Sequence, residues 1–244
     1  MLPRRLLLAA PAFLLSLVPA RAAPLLEWVA GDLPPFGWST PEGPRGFAHE
    51  LVAAMAQRLG RRAEVRYMPW ARAVRMVAQG DHFGVFPLAR TPDREARFQW
   101  LVPLMAVRYG LYTLATPANE GRLDLAQRRR QRIGVLRGSP IVANLRAEGF
   151  ESIVDAKDYH DLLRQLRAGL IDAVYAGAPM LEAAMDEYGH PRTLFTLQAT
   201  VGEATLYMAT SLGLHPAEAQ RWVDAHRQLE EDGTVARLRQ RYLH

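Results

Sequence analysis

The chain has 244 residues, of which 49% are hydrophobic and 23% charged, enough for a packed core and more than one lobe. Its formal net charge is +5, but the first 22 residues hold three arginines and no acid, so the remainder carries only +2. The chain contains no cysteine, which excludes a disulfide framework, a thiolate metal site and a lipid-anchor cysteine. The weak net charge gives no reason to expect a nucleic-acid partner.

Residues 1–22 have the pattern of a cleavable signal peptide. Arg4 and Arg5 precede an apolar run at 6–18, and small residues stand at the alternating positions of Ala20-Arg21-Ala22. A membrane helix is the alternative, but the run is shorter than the roughly 20 residues that span a bilayer. The paired arginines also leave a twin-arginine signal open. We predict cleavage after residue 22 and a periplasmic product without a lipid anchor.

The first part of the remaining chain alternates strands and helices, as expected for an α/β lobe. Strands are predicted at 25–30, 64–68 and 83–88. Helices are predicted from apolar spacing at 47–59 and 70–79. Consecutive prolines within 31–37 predict a turn between the first strand and the first helix.

The alternation then restarts, which predicts a second lobe. Extended segments at 108–115 and 204–210 are predicted to cross between the lobes. Between them we predict strands at 132–136 and 172–175 and helices at 140–148, 159–167 and 179–188. Helices at 216–231 and 235–242 complete the chain, separated by Gly233.

Two segments share a pattern that favours anion binding. In each, a strand ends at Thr91 or Ser139, and the following proline suits the first position of a helix. The free N–H groups of a helix start attract anions. Arg94 adds a planar guanidinium that can hold a carboxylate through two hydrogen bonds. The pair predicts a cleft that closes on a small anionic or zwitterionic solute.

Four other residues are candidates for ligand binding. Phe36, Trp70 and Tyr175 are aromatic residues in loops or at element ends, where rings often line a cleft, although core packing is the alternative. Arg137 could add positive charge to the cleft or face water. The seven histidines are scattered without metal-ligand spacing, so we predict no metal, no cofactor and no catalytic residue.

An arginine cluster at 128–132 could form a phosphate-binding patch. No aromatic residue is interleaved there to stack on a base. A solvated helix end or loop is therefore the favoured interpretation.

A series of short motifs runs through the chain. They are Leu33-Pro34-Pro35-Phe36, Gly46-Phe47, Thr91-Pro92-Asp93-Arg94 with Phe98-Gln99-Trp100 and Pro103, Ile133-Gly134-Val135 with Gly138-Ser139, Gly169-Leu170-Ile171-Asp172-Ala173, and Asp232-Gly233-Thr234. In their order and spacing the chain resembles the bacterial extracellular solute-binding proteins of family 3, which are periplasmic receptors of polar amino-acid ABC importers. The resemblance covers about residues 25–242.

The resemblance implies an α/β fold of the two-lobed periplasmic binding protein kind (type II), with two crossing strands as the hinge and the ligand cleft between the lobes. Lobe 1 would comprise residues 23–106 and 204–244, and lobe 2 residues 107–203. Arg94 would hold a ligand carboxylate from lobe 1, and the Ser139 hydroxyl with nearby N–H groups would hold it from lobe 2.

The implied function is an exported, monomeric binding protein that captures a small polar, amino-acid-like carboxylate for an ABC permease of the inner membrane. Two alternatives stay open. One is an enzyme on the same scaffold, similar to periplasmic cyclohexadienyl dehydratases, and the other is a sensor or accessory module. No acidic residue lies in a motif that demands a catalytic role, so we predict a protein that is not an enzyme.

The chain departs from the family pattern at four positions: Leu33, Pro87, Ala89 and Gly177. The first replaces an aromatic ring, and the next two replace small hydroxyl residues. Gly177 stands where the family places the acid that pairs with the ligand's ammonium, and a buried ammonium without a partner is costly. Three alternatives therefore stay open for the solute: another carboxylate, an amino acid whose ammonium is met elsewhere, with Glu182 and Glu203 as candidates, or a compound of a different class.

Overall fold

The computed structural model describes residues 25–119, 125–140 and 142–243. The strands in this part of the chain are β1 (Glu27–Ala30), β2 (Trp38–Thr40), β3 (Gly43–Arg45), β4 (Val65–Tyr67), β5 (Phe83–Ala89), β6 (Gln99–Leu114), β7 (Ile133–Leu136), β8 (Ile153–Ala156), β9 (Ala173–Gly177) and β10 (Phe195–Thr210). The helices are α1 (Phe47–Arg58), α2 (Trp70–Gln79), α3 (Leu125–Arg128), α4 (Val142–Ala147), α5 (Tyr159–Arg167), α6 (Ala178–Glu187), α7 (Pro216–Glu231) and α8 (Thr234–Tyr242).

One mixed sheet of eight strands organises the fold, in the order β4-β1-β5-β10-β6-β9-β7-β8, and β2 and β3 form a separate hairpin. The long strands β6 and β10 are antiparallel neighbours at its centre. The end of β10 pairs with β5, and residues 109–112 of β6 pair with β9. The sheet therefore passes from one half of the molecule to the other along these two strands.

We call the half with β4, β1 and β5 lobe 1; it carries α1, α2, α7 and α8. The half with β9, β7 and β8 is lobe 2, and it carries α4, α5 and α6. This confirms the α/β fold with two lobes and two crossing strands. The lobe boundaries at 106 and 203 stay predictions, and the predicted signal peptide lies outside the described residues.

Each lobe buries the apolar faces of its helices. In lobe 1, the buried rings of Trp28 and Trp222 meet edge to face at 5.2 Å. In lobe 2, α5 packs buried leucines such as Leu163 against β7 and β9. The Asp158 side chain caps α5 by accepting a backbone N–H bond of 2.7 Å. This cap fixes the position of Tyr159 at the start of the helix.

Most predicted elements are confirmed, and three helices, α2, α5 and α7, have the predicted bounds. The crossing strands are longer than predicted, because β6 begins at Gln99 and β10 at Phe195. Their burial pattern is irregular, since each strand changes its surroundings on passing between the lobes. The hairpin, β8 and α3 were not predicted.

The predicted helix starts differ from the structure. The Thr91 hydroxyl donates to the Asp93 carboxylate at 2.7 Å, and only a 3₁₀ helix at Glu95–Arg97 follows. After Ser139, α4 begins at Val142 and has six residues. The prediction of a helix beginning at Thr91 is therefore wrong, because the chain after Thr91 forms a turn in which the Arg94 N–H donates to the Thr91 carbonyl at 2.9 Å.

The arginine cluster also differs in part from its prediction. Arg128 is fully buried and donates to Gln198 Oε1 at 2.6 Å, whereas Arg129 and Arg130 are exposed. The interpretation of the cluster as wholly solvated is therefore wrong for Arg128. Within the described residues, no group of His, Asp and Glu side chains has the arrangement of a metal site. None of the helices described is both long enough and apolar enough to cross a membrane.

Candidate functional site

A small cavity of about 40 Å³, which we call the inner cavity, lies between the lobes. Lobe 1 and the adjoining end of β10 supply Leu33, Trp70, Pro87, Ala89, Arg94 and Leu206. Lobe 2 and the adjoining part of β6 supply Tyr109, Leu136, Ser139, Pro140, Tyr159, Tyr175, Ala176 and Met180. Among the residues that the structure describes, this lining contains one charged group, a guanidinium, and no carboxylate or imidazole. The other lining side chains are apolar, apart from three tyrosines and Ser139.

Arg94 carries the positive charge of the inner cavity. A turn after β5 positions it, and the residue is only 5% exposed. Its Nη2 donates to the Gly138 carbonyl of lobe 2 at 2.8 Å, and Nη1 donates to the Ala89 carbonyl at 3.4 Å. No ion pair joins it to a described carboxylate. Burial lowers the pKa of Arg94 to about 10, so the guanidinium stays charged at neutral pH.

Gly138 brings the lobes into close backbone contact. Its φ of +83° lies in the left-handed region that favours glycine. A Cβ at this position would lie 3.1 Å from both Cα and Cβ of Ala71, which belongs to α2 of lobe 1. A residue without a side chain is therefore what lets the Gly138 carbonyl reach Arg94.

Three tyrosines line the lobe 2 side. Tyr109 and Tyr159 are 6% and 4% exposed, and neither hydroxyl bonds to a described residue. Tyr175 donates its hydroxyl proton to the Val201 carbonyl, and its ring lies 5.9 Å from that of Tyr109. Burial raises the pKa of all three phenols, so they remain protonated hydrogen-bond donors.

The structure brings four of the six predicted ligand-binding residues together: Arg94, Ser139, Trp70 and Tyr175 all line the inner cavity. Trp70 is the first residue of α2 and is 5% exposed.

The other two predicted residues lie elsewhere. Phe36 is fully buried beside Phe47, at a ring distance of 6.4 Å, and belongs to the core of lobe 1. Arg137 is exposed, and its Nε lies 3.6 Å from Asp155. Arg137 therefore points its charge to an exposed partner rather than to the inner cavity.

Tyr109, Tyr159 and Met180 were missed by the sequence analysis. Tyr109 lies opposite Gly177 in the register between β6 and β9. Tyr159 directly follows the capping residue of α5, and an aromatic at such a helix start is the signal that could have identified it. Tyr109 gave no such signal, because its strand was predicted only as a crossing segment.

Apolar atoms occupy the surroundings of Gly177. A Cβ added there would lie 2.4 Å from Met180 Cε and 2.6 Å from Val107 Cγ1. Glu182 pairs with Arg192 at 2.9 Å. Neither Glu182 nor the exposed Glu203 lines the inner cavity.

A second space of about 310 Å³, the outer cavity, adjoins the inner one. The two cavities share the side chains Leu33, Trp70 and Leu136. Asp32 and Asp158 line the outer cavity only, and both carboxylates accept backbone N–H bonds. Acidic groups are thus present beside the cleft entrance but are absent from the lining of the inner cavity.

The lobes also meet at an exposed rim. Arg45, at the end of the β2–β3 hairpin, pairs with Glu187 of α6 at 2.9 Å. The guanidinium also stacks over the Trp38 ring at 4.9 Å. The cleft is therefore bridged twice, once by the buried Arg94 and once by this exposed pair.

The model of the bacterial extracellular solute-binding proteins, family 3, matches residues 28–244. The chain belongs to this family. The match spans both lobes and all the cavity residues described above. No curated protein sequence matches the chain significantly.

Solved structures share the fold at low sequence identity. A histidine kinase sensor domain similar to periplasmic binding proteins has a TM-score of 0.77 and 21% identity, covering 89% of this chain and 96% of its own. An ancestral arginine-binding protein bound to arginine has a TM-score of 0.76 and 18% identity, with coverages of 90% and 98%. An ancestral amino-acid-binding protein, a precursor of cyclohexadienyl dehydratase, has a TM-score of 0.76 and 17% identity, with coverages of 90% and 96%. The sensor, binding and enzyme lineages thus share this scaffold.

Proposed function

We propose that this family member is an exported receptor that captures a small carboxylate-bearing solute between its lobes and delivers it to an ABC importer of the inner membrane. The observation that carries the proposal is Arg94. It is the charged group of an interlobe cavity whose other described lining residues are uncharged, and it donates hydrogen bonds to two backbone carbonyls. A buried guanidinium without an anion is an incomplete ion pair, which a carboxylate would complete.

Binding in this cavity requires the lobes to move. The inner cavity of about 40 Å³ has room for a few water molecules, so a solute enters only when the lobes separate. When the lobes close on a solute, its carboxylate would accept the hydrogen bond that Arg94 Nη2 otherwise donates to the Gly138 carbonyl. Ser139, Trp70 and Tyr175 would contact the remainder of the solute. Hinge closure about crossing strands is a familiar motion of two-lobed binding proteins.

Export is the second part of the proposal. The predicted signal peptide would direct the chain to the periplasm, in keeping with a family of extracellular proteins. Mass spectrometry of the protein from a periplasmic extract should give a mass that begins at residue 23. Recovery of the uncleaved chain in the membrane fraction would contradict this part.

Isothermal titration calorimetry against a panel of small carboxylates tests the binding function. At least one should bind the parent protein, and Arg94→Ala should weaken that binding by at least about 30-fold, because it removes the partner of a buried charge. Arg90→Ala is the matched control. Arg90 is exposed, pairs with Glu95 and does not line the inner cavity, so its loss should leave affinity unchanged.

Equal effects of the two substitutions would overturn the proposed role of Arg94. Cells that lack the protein should also lose high-affinity uptake of the solute that binds.

Turnover of prephenate or arogenate by the purified protein would instead favour the enzyme hypothesis. That hypothesis needs a group that moves protons, and among the described residues lining the inner cavity the tyrosine hydroxyls are the candidates, since no carboxyl or imidazole group is among them.

A further inference from the structure

The inner cavity offers a solute one guanidinium and several hydroxyls but no carboxylate. We propose that the solute is a monocarboxylate with an apolar or aromatic body and no α-ammonium group, an inference that rests on the proposed function. This names the class of ligand for the site and separates it from the α-amino acids.

An α-ammonium nitrogen is two bonds from the carboxylate carbon. A solute whose carboxylate meets Arg94 would therefore keep its ammonium inside the inner cavity, among residues that are almost fully buried. The neighbouring carboxylates, Asp32 and Asp158, line the outer cavity but not the inner one, and each already accepts a hydrogen bond from a backbone N–H group. An ammonium in the inner cavity would be desolvated without an anionic partner, beside a guanidinium of the same charge.

Apolar atoms fill the place from which an acid could reach the cavity. Gly177 has no side chain, and the space next to its Cα is taken by Met180 Cε and Val107 Cγ1. Met180 also lines the inner cavity, together with Leu33, Leu206 and Trp70. These groups favour a hydrocarbon or aromatic body in contact with them.

The remaining polar groups suit acceptors on the solute. Tyr109 and Tyr159 are more than nine-tenths buried, line the cavity, and have hydroxyls without a partner among the described residues. Both are protonated, so they can donate to a carboxylate oxygen or to an adjacent carbonyl or hydroxyl oxygen. A donor-rich, acid-free lining therefore matches a carboxylate or 2-oxo acid.

Matched ligand pairs test this inference on the unmodified protein. We would titrate 3-phenylpropanoate and phenylpyruvate against L-phenylalanine, and 4-methylpentanoate against L-leucine, by calorimetry. In at least one pair the acid without the ammonium should bind at least about tenfold more tightly, and Arg94→Ala should abolish that binding.

The two proposals fail in different ways. If the amino acid binds as tightly as its partner or more tightly, and depends on Arg94, the ligand class is wrong and the receptor function stands. If no carboxylate binds, or binding is indifferent to Arg94→Ala, both are overturned.

Installing an acid provides a reciprocal test. The variant Gly177→Asp with Val107→Ala and Met180→Ala places a carboxylate where space has been made for it. Its control carries only the two alanine substitutions. Because Met180 lines the inner cavity, the two alanine substitutions should weaken binding of both members of a ligand pair, so the quantity compared is the ratio of their affinities. Relative to this double variant, the triple variant should shift that ratio at least tenfold toward the amino acid. The same preference in both folded variants would contradict the inference.

Discussion

The two places where the lobes meet differ in almost every physical respect. The inner contact joins the Gly138 carbonyl to Arg94, whose guanidinium is buried because the residue is only 5% exposed. The rim contact joins Arg45 to Glu187, whose side chains are 49% and 24% exposed. Solvent screening weakens electrostatic interactions. An arginine guanidinium therefore interacts more strongly with a partner at the buried inner contact than at the exposed rim.

This difference assigns separate roles to the two contacts. The buried guanidinium of Arg94 has no carboxylate partner among the described residues. A solute carboxylate would supply that partner. The rim pair is already complete, so a solute adds nothing to it. Under the proposed function, recognition of the solute would therefore belong to the inner contact, and the rim pair would only adjust how readily the lobes come together.

The largest expected effect comes from a position outside both contacts. Leu163→Ala removes a fully buried side chain from α5 and should lower the free energy of unfolding by roughly 2–5 kcal/mol. Affinity per folded molecule should be unchanged, because Leu163 does not line the cleft. Denaturant unfolding and calorimetry measure the two quantities. A large loss of affinity in the folded variant would show that lobe packing and recognition are not separate.

The next largest effect should come from Gly138→Ala. Alanine is strained at a φ of +83°, which costs about 1 kcal/mol of stability. The new methyl group would also press on Ala71 of the other lobe and oppose closure. We expect affinity for the solute to fall about fivefold to tenfold, measured by calorimetry.

Gly169→Ala is the control for backbone strain. Its φ of +67° is also left-handed, but an added Cβ would meet nothing within 4 Å. It should lose a similar amount of stability and keep the parent affinity. If both variants lose affinity equally, the close approach of Gly138 to Ala71 is not what controls closure.

The rim pair should have a smaller effect. Glu187→Gln removes one charge of the exposed bridge to Arg45 and should change affinity by about fivefold or less, with the difference vanishing at 1 M salt. Glu182→Gln, which breaks a pair with Arg192 inside lobe 2, is the matched control and should not change affinity. A salt-independent loss in Glu187→Gln would place the rim contact in recognition.

The smallest expected effect is that of pH near neutrality. Arg94 has its pKa lowered by burial only to about 10, so it remains protonated between pH 6 and 8. A solute carboxylate is ionised throughout that range, and no histidine lines the inner cavity. Affinity should therefore vary less than twofold between pH 6 and 8, and should fall as pH rises through about 10. A tenfold change below pH 8 would reveal another titrating group at the solute.

Local sequence determined much of this protein. The helices α2, α5 and α7 follow from apolar spacing within one segment, and the lobes follow from alternating strands and helices. Arg94 was identified because a motif and a charge coincide within a few residues. These features depend on near neighbours in the chain, which the sequence displays directly.

Only the tertiary structure decided which side chains share the cleft. Tyr109, Tyr159 and Met180 come from a crossing strand and the starts of two helices, and their meeting depends on strand register and helix direction. The tertiary structure also places Phe36 in the core of lobe 1 and Arg137 at the surface. The physical reason is that sheet pairing and lobe packing bring together residues that lie 21 to 71 positions apart in the chain, and no local pattern records such contacts.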